Sequence, residues 1–250
     1  MSESRSLDRA RTLAELLEDS FQLYRAHVAL LLVLAGGVAL VVDGILAVGL
    51  GELTASYRGQ SPAREQTITL IASGLVKTPL LAAMIAYVVL DLRASKAPSA
   101  RRAAQAGLDV FAPLLLAVLL YVAVVAAGSL AFLLPGVWIA VLCFFVPQAV
   151  VVDGLRGTAT LMRSAELVAG RWFRTLGRGL VFYAIVAVPG LGLTLAFDAL
   201  ARAAHAEALV VLGNVLYDTL ALPLLGIGAT LYYLELRENP RSGGAARSTR

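Results

Sequence analysis

Residues 110–152 read VFAPLLLAVLLYVAVVAAGSLAFLLPGVWIAVLCFFVPQAVVV, without one Asp, Glu, Lys, Arg or His. About 18 consecutive apolar residues suffice to span a bilayer as a helix, and this run is more than twice that length. Pro135 cannot continue a helix and Gly136 favours a turn. The stretch therefore predicts two spans, about Val110 to Leu133 and about Val137 to Val152, joined by a tight Leu134-Pro135-Gly136 turn.

The rest of the chain extends the pattern. Of its 250 residues 59% are hydrophobic and 15% charged, with a mean hydropathy of +0.79. Soluble domains are nearer half apolar and a quarter charged, so an ordinary soluble domain and a disordered chain are both excluded. Four further apolar runs predict spans at about Val28 to Leu50, Ile68 to Leu90, Leu180 to Phe197 and Leu209 to Leu234. The expected fold is an all-α polytopic membrane bundle of six transmembrane helices. It divides into an N-terminal segment (1–27), a six-span domain (28–236) and a disordered Arg-, Ser- and Gly-rich tail (237–250).

Charge placement orients the bundle. The N-terminal segment, the loops after spans two and four and the tail hold 17 of the 21 basic residues, against three (Arg58, Arg64, Arg202) on the other side and Lys77 within a span. By the positive-inside rule both termini are cytoplasmic. The net charge of +4 flanks apolar runs, so the expected partner is the membrane surface and not nucleic acid. Acidic residues Glu3, Asp8, Glu15, Glu18 and Asp19 before the first run argue against a secretory leader. Cys143 is the single cysteine, which excludes an intramolecular disulfide. Low Lys with high Ala, Arg and Gly points to a GC-rich bacterial genome, hence to the cytoplasmic membrane.

Two segments are amphipathic instead of spanning. Over about 156–178, Leu161, Ala165, Val168, Trp172 and Leu176 form one stripe, with Arg163, Arg171, Arg174 and Arg178 on the other side. This pattern predicts a helix lying in the interface, its arginines reaching anionic phosphates and its Trp at headgroup depth. Thr12 to Arg25 repeats the pattern with Leu13, Leu16, Leu17, Phe21 and Tyr24, and Thr12 with Glu15 can form a capping box. Both segments read equally as connectors packed on the cytoplasmic end of the bundle.

Several residues carry a resemblance. Leu134-Pro135-Gly136, Pro147, Asp153-Gly154, Arg163-Ser164 and Trp172-Phe173 occur in an order that resembles the membrane domain found with some bacterial glycerophosphoryl diester phosphodiesterases and related multi-span proteins. The stretch LAELLEDSFQLYRAH near the N-terminus is similar as well. The resemblance implies a six-span membrane domain. In the fused proteins a soluble barrel carries catalysis and needs about 250 residues of its own. The spans leave no room for one here. His27 and His205 are the only histidines and fall on opposite sides of the membrane, so the diesterase activity is not expected.

Charge inside a membrane is costly and marks candidate function. Asp43, Lys77 and Asp218 lie roughly 11, 14 and 14 Å from the outer ends of their spans at 1.5 Å per residue, in one layer. They are expected to form an intramembrane Asp–Lys–Asp cluster, or else to act as separate structural polar contacts. Pro79, Pro147, Pro189 and Pro223 each free a carbonyl four residues earlier. No nucleotide loop, nucleophile elbow, metal-ligand pair or cofactor fingerprint occurs. Three readings follow. The first is a non-enzymatic membrane or envelope component interacting with phospholipids, with a protein partner or second copy possible. The second is a small transporter or lipid-handling permease using the charged layer. The third is a membrane enzyme, for which no catalytic set is visible.

Overall fold

Thr12 opens the first helix with a reciprocal cap. Its hydroxyl accepts from the Glu15 amide at 3.2 Å, and the Glu15 carboxylate accepts from the Thr12 amide at 2.9 Å. The computed structural model describes the backbone of residues 12–55, 62–206 and 208–239, with side chains throughout those ranges except at 43, 44, 46–55, 62–73, 131, 208 and 211. Ten helices and no strand occur among the described residues: α1 (Leu13–Ala26), α2 (Val28–Ala55), α3 (Pro62–Arg93), α4 (Ala100–Asp109), α5 (Phe111–Ala131), α6 (Leu133–Leu142), α7 (Val146–Val152), α8 (Thr158–Val168), α9 (Trp172–Ala204) and α10 (Ala208–Glu238). Five stretches are long and apolar enough to cross a membrane, and a sixth is reached if α1 and the start of α2, bent by 84°, count together. The chain is all-helical with five to six candidate membrane-spanning segments.

The interior is built around α10, which packs against α1, α2, α3 and α9. Tyr233, Leu231, Leu234 and Ile227 are fully buried there, beside Ile85 and Val89 of α3, Leu31 of α2 and Leu16 of α1. The outer faces of α5 and α9 remain apolar and exposed, as with Leu130, Val188 and Leu191, which suits contact with lipid tails.

Three sequence expectations are corrected. Leu134-Pro135-Gly136 is not the turn. The reversal occurs at Phe132, whose extended backbone (φ −168°, ψ 147°) separates α5 from α6. Pro135 lies in the first turn of α6, where its missing N–H has no intrahelical partner to lose. Gly136 is instead a packing residue, since a Cβ there would lie 1.9 Å from Ser129 Oγ and 2.9 Å from Ser129 Cα. The α5–α6 hairpin thus closes by small-residue contact, the usual means where lipid offers no hydrophobic drive.

The second correction concerns residues 156–178, which do not form one helix. Ala169 is extended and Gly170 has φ +77°, so α8 stops and the Trp172–Arg178 half becomes the first two turns of α9. Span five accordingly starts at Trp172, eight residues before the predicted Leu180. Third, the predicted fourth span is matched by the candidate Leu133–Val152, but its helix is interrupted at Cys143–Phe145, between α6 and α7. A short amphipathic helix that was not expected, α4, fills the loop after span two, with Ala103 and Gly107 on its buried face. The expected tail beyond 239 and the segment before Thr12 lie outside the described residues.

The hairpin contact generates a test. Gly136→Ala is expected to cost about 1–3 kcal/mol through overpacking, whereas Gly37→Ala, whose Cβ would meet nothing within 4 Å, is expected to leave stability unchanged or raised. Thermal unfolding of both in the same detergent checks this.

Candidate functional site

Pro147 removes the amide that would bond the Cys143 carbonyl, and the helix gives way just before it. The break is repaired from α8. The Ser164 hydroxyl donates to the Leu142 carbonyl at 2.7 Å and accepts from the Phe145 amide at 3.0 Å. Ser164 is fully buried. One side chain therefore satisfies a donor and an acceptor that the break would leave bare in an apolar setting.

Ser164 fixes its neighbour. Arg163 Nε donates to Asp153 Oδ2 at 2.8 Å, and Tyr233 of α10 donates its hydroxyl to the same oxygen at 2.8 Å. Arg237 Nε forms an ion pair 3.1 Å from Oδ1, aligned too poorly for a hydrogen bond. Asp153 follows α7, and Gly154 beside it turns the chain at φ +65°. Hydrogen bonding to Asp153 pushes the Arg163 pKa up, against the opposing effect of burial. At the same end Arg93 pairs with Glu238, and Arg171 Nη2 donates to the Asn239 carbonyl at 2.6 Å.

One layer deeper, Arg178 of α9 donates through Nη1 to both carboxylate oxygens of Glu235 at 3.0 Å, with both side chains under 10% exposed. The guanidinium carbon lies 4.5 Å from the centre of the Tyr232 ring, a cation–π contact. Tyr232 also shares a 3.2 Å hydrogen bond with Thr175. Elsewhere in the bundle, Lys77 Nζ of α3 donates to Asp218 Oδ2 of α10, with side chains 8% and 18% exposed.

Between α3, α5, the α6–α7 break, α9 and α10 lies a cavity of about 540 Å³. Its room comes partly from missing side chains at Gly74 and Gly179, which line it and where a Cβ would meet nothing closer than 3.9 Å. Leu75, Val118, Val146, Leu222 and Leu225 give it apolar walls, and Pro147 exposes one of its edges to it. Gln148, Arg178 and Tyr232 provide polar groups. Lining residues 222–232 of α10 span roughly 15 Å along the helix axis. Gln148 is 2% exposed, and its Oε1 has no hydrogen-bond partner.

The sequence-chosen residues fall into separate places. Of the expected Asp43–Lys77–Asp218 cluster, Lys77 and Asp218 pair; the Asp43 side chain lies outside the described residues. Of the four arginines assigned to lipid phosphates, Arg174 is exposed, Arg163 and Arg171 hold the protein contacts above, and Arg178 is buried against Glu235. The motif residues Pro147, Asp153, Gly154, Arg163 and Ser164 form one structural unit. Trp172 stacks on Trp138 with ring centres 4.5 Å apart and donates Nε1 to its carbonyl at 3.1 Å. Pro135 and Gly136 belong to the α5–α6 hairpin. Sequence reasoning passed over Gln148 and Glu235. A search for charge misses a neutral amide, although Gln148 stands beside Pro147 in an otherwise apolar run, and Glu235 falls one residue past the predicted end of span six.

Comparison with protein-family models, with curated proteins and with solved structures finds no match to this chain. The resemblance drawn from motif order stays an expectation.

Two tests follow from the geometry. Ser164→Ala is expected to destabilise by about 1–3 kcal/mol and to raise hydrogen exchange at the Phe145 amide specifically; unchanged exchange there would contradict the repair. Arg178→Met alone is expected to cost about 3–5 kcal/mol by stranding Glu235, while Arg178→Met with Glu235→Leu is expected to recover most of it. Chemical denaturation of the four proteins of that cycle reads the coupling.

Proposed function

We propose that the protein is a non-enzymatic integral membrane component that takes up a lipid from the surrounding bilayer. In this reading it has six spans, both termini are cytoplasmic, and it resides in a bacterial cytoplasmic membrane. The tally of 17 basic residues against three supports that orientation. α1 and α8 act as interfacial connectors at the cytoplasmic end, with exposed Arg156 and Arg174 at the level of anionic phospholipid headgroups.

The observation that carries the proposal is the cavity of about 540 Å³ among helices apolar enough to span a membrane. Its size lies within the roughly 300–1,000 Å³ of small-molecule sites, and it shares their composition: apolar walls with a few polar groups. A hollow of this kind inside a bilayer is within reach of acyl chains before any water-soluble ligand.

A second reading is favoured by the Lys77–Asp218 pair. Buried intramembrane charges are typical of coupled transport, and in that reading Asp218→Asn abolishes proton- or substrate-dependent flux in liposomes. The cavity reading leaves the pair as a structural contact between α3 and α10.

Native mass spectrometry of protein released gently from membranes tests the proposal. One lipid per chain at a fixed ratio is expected. Gly179→Leu, which points new volume at a space where a Cβ meets only Phe144 at 3.9 Å, is expected to reduce that occupancy about tenfold with an unchanged melting temperature. Lipids in bulk membrane proportion, equal in both proteins, would overturn it.

A further inference from the structure

We infer that the cavity opens sideways into the hydrocarbon of the bilayer, through a gap between α5 and α9, and that its occupant is the acyl tail of a bilayer lipid, which enters end first while the head stays outside. This rests on the lipid-uptake reading above and names the part of the lipid taken up and its route.

The route follows from how the walls are packed. α9 packs along α10 and meets α6, but among the described residues it has no comparable contact with α3 or α5. The side formed by α10 is tight. A Cβ on Gly226 would lie 2.8 Å from Ile85 Cδ1 of α3, and one on Gly228 would lie 2.3 Å from Phe182 Cε1 of α9. The two ends along α10 are tied as well. Lining residues 222–232 are bracketed by Asp218, paired with Lys77 of α3, and by Glu235, paired with Arg178 of α9. The side between α5 and α9 has no such closure among the described residues. Val122 of α5, Phe144 at the helix break and Tyr183 of α9 all line the cavity, and all three are exposed. Gly74 and Thr78 of α3, which line it too, are exposed as well.

Depth and charge identify what enters. Val122 and Tyr183 follow the first residues of their helices, Phe111 and Trp172, by about 16 Å at 1.5 Å per residue. Thr78 precedes Arg93, the last residue of α3, by about 22 Å. In a hydrocarbon core about 30 Å thick, the gap therefore runs from the middle of the bilayer into the half away from the Arg93–Glu238 pair. A charged headgroup at that depth is costly. The cations nearest the cavity offer it no counter-charge without leaving Glu235 or Asp218 stranded. A lipid with its head at the surface spans half the core with its tail, so the tail end is the part that comes level with the gap. Leu119 of α5 and Leu180 of α9 flank the gap and are exposed, so the approach is apolar as well.

The test places a nitroxide at Gly179→Cys in a Cys143→Ala background, with the full chain in phosphatidylglycerol–phosphatidylethanolamine vesicles. Gly179 lines the cavity, and a Cβ there meets only Phe144 at 3.9 Å. Power saturation by molecular oxygen, which concentrates in lipid, and by a water-soluble nickel chelate reads what reaches the label. Oxygen access is expected to approach that of a label at Leu191→Cys on the exposed face of α9, with nickel access near zero. Val122→Trp is expected to reduce oxygen access at Gly179→Cys several-fold and to leave Leu191→Cys unchanged. Tyr183→Ala, which widens the same gap, is expected to raise it. Oxygen access indifferent to both rim substitutions would rule out the route between α5 and α9, as would low access for both reagents. If native mass spectrometry of the same protein still finds one bound lipid per chain, uptake stands without that route. Nickel access above oxygen access would mean a water-filled cavity and remove uptake and route together. Should Val122→Trp fold poorly, Tyr183→Trp replaces it.

The tail is tested by titrating lipids into the wild type under native mass spectrometry. Dioleoyl phosphatidylglycerol and dioleoyl phosphatidylethanolamine are expected to occupy the protein equally. Dilauroyl phosphatidylglycerol is expected to occupy it several-fold less, because its shorter tail ends before the gap. Occupancy set by the head and indifferent to chain length would overturn the tail as the part taken up.

Discussion

Inside a bilayer no water stands ready to bond a bare amide or carbonyl, so a break in a spanning helix needs a partner from the protein itself. The chain meets that requirement with one hydroxyl. Ser164 bonds the Leu142 carbonyl and the Phe145 amide across the break before Pro147. To do so, α8 must lie directly against the α6–α7 junction. That placement brings Arg163 onto Asp153, and Asp153 onto Tyr233 and Arg237 of α10. The interior end of the molecule is therefore determined outward from a proline and a serine seventeen residues apart. The cavity adjoins the same break, with Cys143, Phe144, Val146, Pro147 and Gln148 along one of its sides.

Charge is distributed on a consistent rule. Among the described residues, two deep cations have their counter-charges on α10: Asp218 for Lys77 and Glu235 for Arg178. Each such pair repays desolvation only when its geometry is good, and is weak as a source of stability. Their value is positional, since each joins α10 to another helix at one register. Gln148 is the departure from the rule. It is the one polar side chain lining the cavity that is nearly wholly buried and yet has an oxygen without a partner among the described residues.

Much of the architecture was legible in the sequence because length, hydropathy and arginine placement act on whole segments. The all-helical build followed from the length of the apolar runs, and helix rise placed Asp43, Lys77 and Asp218 at similar depth, of which Lys77 and Asp218 pair across 141 residues. The local features were harder. Pro135 looked like a turn because proline ends helices, yet in a first turn it costs nothing, and the extended residue at Phe132 has no signature of its own. Gly170 divided a convincing amphipathic pattern, since periodicity reports which residues share a face and not whether the backbone continues. Arg178 read as a phosphate ligand because its partner, Glu235, lies 57 residues on, in another span. The motif order Pro147, Asp153-Gly154, Arg163-Ser164 was visible as a pattern, but its meaning as a repaired break needed coordinates. Gln148 went unnoticed because it carries no charge, and the Asp43 side chain lies outside what the structure describes.

The claim on which the account turns is that the fourth span is broken at 143–145, is held open by Ser164, and borders a lipid-filled space. Electron cryomicroscopy of the protein in nanodiscs of its native lipids tests this most directly. The account predicts separate α6 and α7 segments, Ser164 Oγ within hydrogen-bonding distance of Leu142 O and Phe145 N, and elongated density beside Gln148 between α3, α9 and α10. A continuous helix over 133–152, or a closed interior with the Gln148 amide bonded to protein, would contradict it.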